Sequence, residues 1–287
     1  MSAGRAELRP LAVMSVPRAL RWAAAHAGLL LSCGVVLIVA AWAVAPSLFT
    51  GVDPIAVVPT DRFQPPSAEH WLGTDQLGRD QFARIVHGAR ASLSAAAIAV
   101  GVAAIVGSLV GALAGWFGGV VDSAAMRLID VALSIRGFLL AITIVMLLGF
   151  GIVQAAVAVG LTTSAAFARV IRSEVLTARA SGYVEAAVSS GASTFDVLRR
   201  HVIPNSAGPT LSLMTVQFGI AIIWIASLSF LGLGAQPPES EWGRLVADNR
   251  DFIATRGWLA LFPGLTIAAT VLAVNHIAHR LHRGEAS

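Results

Sequence analysis

Long stretches of this chain carry no acid and no arginine. Residues 27–48, 91–121, 137–168, 201–238 and 257–278 are uncharged and dominated by apolar side chains. A helix needs about 20 such residues to cross a bilayer. In hydrocarbon every backbone N–H and C=O must be paired within the spanning element, so only helices and closed barrels cross. These runs are continuous rather than alternating, which selects the helix. The composition agrees: 56% of residues are hydrophobic and 13% charged, about half the charged fraction of a soluble domain. The fold class expected is an all-α integral membrane protein with six transmembrane helices.

Turn formers and charges divide the runs. A short basic tail, residues 1–26, has Arg5, Arg9, Arg18 and Arg21 against Glu7 alone, and the first span follows over 27–48. That run is longer than the ~7–15-residue apolar core of a secretory signal, so it reads as an uncleaved span. Residues 49–87 form a loop with Pro54, Pro59 and Pro65-Pro66. At its end Phe82, Ile85, Val86 and Ala89 line one helical face, which predicts a helix at the membrane surface leading into the second span, 91–115. Span three is expected over 127–148 and span four to residue 168, separated by Gly149-Phe150-Gly151. Span five is expected over 206–231 and span six over 259–278, with a turn-rich loop between them.

Charge orients these spans. Residues 169–205 hold five arginines and three acids, whereas 53–84 hold five acids and three arginines and 232–258 hold four acids and three arginines. Arginine excess marks the cytoplasmic side. Both termini and the 169–205 segment are therefore expected in the cytoplasm.

All 20 Lys+Arg side chains are arginine. A phosphate-binding loop of the Walker type needs a lysine, so any ATP used by the system is bound by another subunit. The arginines are scattered rather than gathered on one face, which argues against nucleic acid. Cys33 is the lone cysteine and can make no internal disulfide. No HExxH or GxSxG stretch is present, and the histidines show no ligand spacing, so no catalytic or metal site is expected.

The polar stretch "EAAVSSGASTFDVLRRHVIPN", residues 185–205, is expected to form two short helices. The first stops at Gly191, a helix-ending residue. The second starts at Ser193, where Ser193-Thr194-Phe195-Asp196 gives a loose capping box. Such an elbow either connects two spans or seats in a groove of another protein. Glu185-Ala186-Ala187, three residues, Gly191 and then Pro204 resemble the EAA loop of ATP-binding-cassette (ABC) importer permeases. "HWLGTDQLGRD" at 70–80, "GARASL" at 88–93 and "LSFLGLGAQPPESEWG" at 228–243 resemble the dipeptide, oligopeptide and nickel branch of that family. The likeness runs from about residue 20 to 280. The chain departs from the branch at Arg136, near which a proline is common, and in its C-terminal "NHIAHRLHRGEAS".

The resemblance implies a type I ABC importer permease fold, with a permease core over 88–279, its EAA loop at 169–205, and a cytoplasmic tail at 280–287. It implies a second homologous permease, two ATP-binding subunits holding ATP and Mg, an extracytoplasmic solute-binding protein, and a multi-pass place in the cell inner membrane. Glu185, Ala186, Ala187, Gly191, Ala192 and Pro204 are the coupling residues it implies. An ion-coupled secondary transporter or a membrane-embedded hydrolase are the competing readings. Dipeptide, oligopeptide, nickel chelate, glutathione and haem all stay open as solutes.

Four polar residues inside spans are candidates for the pathway or a subunit interface: Asp130, Arg136, Gln217 and Asn275. Arg127, three residues from Asp130, is its expected ion-pair partner.

Overall fold

The computed structural model describes residues 18–182 and 203–285, with side-chain surroundings for 27–182 and 208–280. Its helices of seven residues or more are α1 (Arg18–Val44), α2 (Gln81–Phe117), α3 (Gly119–Ser134), α4 (Gly137–Leu148), α5 (Ile152–Arg179), α6 (Ile203–Phe230), α7 (Trp242–Asp248) and α8 (Trp258–Glu285). Helices α1, α2, α5, α6 and α8 are long and apolar enough to cross a membrane, and α3 with α4 together are long and apolar enough for a sixth, the pair being bent by 99°.

Small residues set the packing. On α2, Gly107, Gly111 and Gly115 recur every four residues, and an added Cβ at each would collide with α5: at Gly107 with the Ser164 carbonyl oxygen, at Gly111 with that of Ala168, and at Gly115 with Val175 Cβ at 2.8 Å. Gly160 of α5 returns the fit against the Ala99 oxygen at 2.6 Å. Without water to drive helices together in lipid, such close approach is what makes them associate. Partner numbers rise together along both helices, so α2 and α5 run parallel. The chain must therefore recross the membrane between them. The core they share with α4 and α6 is mostly small: Ala95, Ala99, Ala103, Ala141, Ala155, Ala156 and Ala221, filled out by Phe167, Ile222, Ile225 and Leu228.

The return leg is where the expected continuous third span fails. Ile135 (φ −87°, ψ 137°) and Arg136 (φ −56°, ψ 120°) leave the helical region between α3 and α4. Different partners hold the two halves. Ion pairs tie α3 to the end of α5. Packing seats α4, because Gly137 lets it approach Trp224, whose Cη2 would be 2.6 Å from an added Cβ.

Three other expectations are corrected. The helix foreseen at the membrane surface before residue 90 is the first part of α2, with Ile85, Val86 and Ala89 buried in the fold. Span four does not stop at 168, since α5 continues to Arg179. The loop after span five contains α7, which sits between α1, α2 and α8 through buried Trp242 and Leu245. The first span is helical from Arg18 to Val44, and residues 46–48 form a 3-10 turn.

Candidate coupling mount and translocation face

Five of the coupling residues named above, Glu185, Ala186, Ala187, Gly191 and Ala192, lie outside the described residues. Pro204 falls in the first turn of α6. What the structure defines is the mount on which that segment hangs, between the end of α5 and the start of α6.

Three arginines on α5 fix its far end. Arg172 makes a two-pronged pair with Asp122 of α3, Nε to Oδ1 at 2.5 Å and Nη2 to Oδ2 at 2.6 Å. Arg169 Nη2 donates to Asp130 Oδ1 at 2.6 Å, with both side chains exposed. Arg179 Nη1 donates to the carbonyls of Gly115 at 3.0 Å and Trp116 at 2.6 Å, and its guanidinium lies 5.6 Å from the Trp116 ring centre. Those carbonyls end α2 and have no partner within the helix. Exposed or half-exposed pairs stabilise by at most about 1 kcal/mol. Their effect here is geometric: a forked guanidinium–carboxylate pair fixes direction as well as distance. Asp130 thus pairs across to α5, and not with Arg127 as spacing alone suggested, because Arg169 projects from the neighbouring helix.

The other polar candidates are placed separately. Arg136 is exposed at the α3–α4 break. Beside it Phe138 stacks edge-on against Trp224, ring centres 6.1 Å apart. Gln217 is seven residues before Trp224, so it lies on the same face of α6 two turns away, and its buried Oε1 has no partner among the described residues. Asn275 instead packs at Gly219, with Oδ1 3.0 Å from where a Cβ would be. The structure does not gather these residues into one cluster.

At the opposite end lies a second charged construction that sequence spacing did not isolate. Asp75 is 1% exposed. Its Oδ2 accepts from Arg79 Nε and Arg84 Nη1, each at 2.7 Å, and its Oδ1 accepts from the backbone of Leu77 and Arg79. Arg84 reaches on to Asp248 of α7 at 3.2 Å. Asp80 caps α2 by accepting from Ala83 N at 2.8 Å and also faces His70 Nδ1 at 2.9 Å. Glu241 caps α7 through the backbone N–H groups of Gly243 and Arg244, and Ser92 of α2 donates to it at 3.1 Å. Burial pushes the Glu241 carboxyl above the ordinary carboxylate range, only partly countered by those N–H groups and by Ser229 and Ser92. Together these contacts bind the segment before α2 to α2, α6 and α7. The signal in sequence was available: Asp75, Arg79 and Arg84 have helical or near-turn spacing, but their partner Asp248 is 164 residues from Arg84.

Among the described residues no group of three His, Cys, Asp or Glu side chains is placed to hold a metal ion. The arrangement is a multi-pass helical membrane scaffold with one end braced by ion pairs, a broken third leg and a buried charge network at the other end.

Residues 107–284 match the family described as "Binding-protein-dependent transport system inner membrane component". The chain belongs to that family: it is a multi-pass inner-membrane permease of a binding-protein-dependent ABC importer, a transport subunit rather than an enzyme. It is 40% identical over 223 residues to the dipeptide transport system permease protein of Alkalihalophilus pseudofirmus, covering 78% of this chain and 73% of that one. To the glutathione transport system permease protein of Pectobacterium atrosepticum it is 43% identical over 210 residues, 73% of this chain and 70% of that one. The fold is similar to an amino acid ABC transporter crystallised with histidines (TM-score 0.53, 16% identity, 70% of this chain and 93% of that one). It is also similar to the MetNI methionine ABC transporter in an inward-facing conformation (TM-score 0.53, 14% identity, 69% and 96%).

Proposed function

We propose that this permease forms half of the route for a peptide-like solute and takes its drive from ATP through residues 185–204. The observation that carries this reading is the brace on α5. Arg172, Arg169 and Arg179 lock the helix that enters the segment to α2 and α3, so a push on the segment moves α5 as a rigid lever and with it the α2 face it is fused to. Glu185 and Gly191 are the contacts with a separate ATPase, and Ala186, Ala187 and Ala192 add small side chains to the same stretch of sequence. Two ATP-binding subunits hold ATP and Mg, a second homologous permease supplies the other half of the route, and an extracytoplasmic binding protein delivers the solute. Residues 1–26, 169–205 and 280–287 face the cytoplasm, while 49–87 and 232–258 face outward, with 88–279 as the permease core. The dipeptide and glutathione permeases at 40% and 43% identity favour a small solute with a peptide bond.

Gly191→Trp and Glu185→Arg test the coupling. Each should leave membrane insertion intact and lower solute uptake per ATP hydrolysed, or release the ATPase on purification. Normal uptake in both variants would reduce the segment to a connector. Cysteines introduced at the exposed Ser67 and Glu239 in a Cys33→Ser background should react with an impermeant reagent from outside, whereas one at Ser193 should not.

A further inference from the structure

The α3–α4 break puts a charge where membrane proteins rarely tolerate one. An added Cβ at Gly137 would be 3.3 Å from Thr162 Cγ2, which places the break beside Thr162. That residue is ten positions from Arg172 and ten from Ile152, about 15 Å either way along α5. Arg136 therefore projects from the middle of a bilayer about 30 Å thick. A central arginine costs about 2.5–3.5 kcal/mol on insertion scales. It is exposed on this chain, and among the described residues no carboxylate is within ion-pair reach of it, Asp130 and Asp122 being taken by Arg169 and Arg172.

Lipid is excluded as its surroundings. The backbone of Ile135 and Arg136 is non-helical and both residues are exposed, and irregular backbone at this depth survives only inside protein or beside water. A dry contact with another permease fits poorly, because interface cores are depleted of charge and this face is rich in it. Below Arg136, exposed Ser134, Asp130, Arg127 and Arg169 continue toward the arginine-rich end of α5. Covering that strip with protein would desolvate four charges, two of them, Arg127 and Arg136, without an ion-pair partner among the described residues. The lipid-facing sides look different: on α2 the exposed line is Ile98, Ile105, Leu109 and Leu113. Water alone satisfies the strip, so it is a wall of the aqueous route. Its charges, three arginines against one aspartate, favour an anion.

We propose that Arg136 is a specificity-determining contact on that route, binding the carboxylate of the passing solute. The guanidinium presents a planar fork that matches a carboxylate in two hydrogen bonds. The Phe138–Trp224 pair directly above it offers an apolar surface to the rest of a short peptide. This rests on the importer reading given above and adds to it the group that is recognised inside the membrane.

The test uses the assembled complex with its binding protein, free of native cysteines, in proteoliposomes. The probe is tritiated glutathione or tritiated dialanine, whichever the parent complex accumulates. If the parent accumulates neither, the peptide-like solute class itself is refuted, an outcome distinct from any effect of changing Arg136. Arg136→Cys and Arg136→Gln should assemble fully, keep basal ATP hydrolysis, and lose uptake by about 10-fold or more, the equivalent of one lost charged hydrogen bond. Arg136→Lys, which keeps the charge but not the fork, should lose less, about three-fold. In Arg136→Cys, 2-aminoethyl methanethiosulfonate, which restores a cation, should return uptake to within about three-fold of the parent. The 2-sulfonatoethyl reagent, which adds an anion, should not. Failure of the thiol to react in the assembled complex, or equal uptake with either reagent, overturns the proposal. Loss of assembly in Cys and Gln variants but not in Lys also overturns it, in favour of an ion pair with a partner subunit.

Discussion

Gly111→Ala tests whether the α2–α5 contact is as close as the geometry states. The new Cβ would overlap the Ala168 carbonyl oxygen and lie 3.0 Å from both Ala168 Cα and Arg172 N. Non-bonded carbons prefer about 3.5–4.0 Å, so α5 must retreat by roughly 0.5–1 Å. Each obstructing atom is backbone, and no rotamer change relieves it. Overpacking of this kind costs about 1–3 kcal/mol. Gly101→Ala supplies the matched comparison, because nothing lies within 4 Å of its added Cβ. There the change removes only a glycine's backbone entropy and should be neutral or stabilising by up to about 1 kcal/mol. The assay is the thermal midpoint of the detergent-solubilised permease, followed by size-exclusion recovery. Gly111→Ala should melt several degrees lower and Gly101→Ala at or above the parent. In the full complex Gly111→Ala should also lower solute moved per ATP, since it shifts α5 where Arg172 meets Asp122. Equal midpoints for the two variants would refute the close packing and the lever built on it.

Two further predictions concern the other end of the molecule. Asp75→Ala leaves Arg79 and Arg84, which are 6% and 1% exposed, to share Asp248 at 3.8 and 3.2 Å, and should cost up to about 3 kcal/mol. Asp251→Ala, which breaks the open Arg250–Asp251 pair, should leave the midpoint unchanged; equal effects would refute the difference in burial. The Glu241 carboxyl is raised by burial, so the folded state holds its proton more tightly than the unfolded chain. That contribution to stability is fully present below the unfolded value of about 4.3 and is lost as pH rises through the folded value. Across that window the parent's midpoint should fall relative to Glu241→Gln, and a constant difference between the two would refute it.

The spanning helices are legible in the sequence because lipid imposes a length and an apolarity that no packing detail can override. The break at Ile135–Arg136 is not legible. Neither residue is a helix breaker, and the cause is tertiary: Gly137 meets Trp224 across 87 positions while Asp122 and Asp130 are drawn to α5. The Asp130 partner was misassigned for the same reason, since i,i+3 spacing identifies neighbours on one helix and says nothing of the next. Asp122 could have been noticed as the lone charge between Arg90 and Arg127, a position that asks for a partner. Helix α7 escaped because seven residues after a run of turn formers carry too short a period to register. The coupling segment is the reverse case: its motif is plain in sequence, and the structure supplies only what holds its ends.

The shortness of α4 also bears on how the chain is made. Its 12 residues span about 18 Å, too little to hold a place in a bilayer unaided. Its seat is built from Thr162 and Trp224, which leave the ribosome later. A nascent chain that ends before α6 thus carries an exposed backbone break in the bilayer with half its seat missing. Either the insertion machinery retains α3 and α4 until residue 224 has emerged, or quality-control proteases meet an unfinished permease whose third crossing is the weakest grip it has.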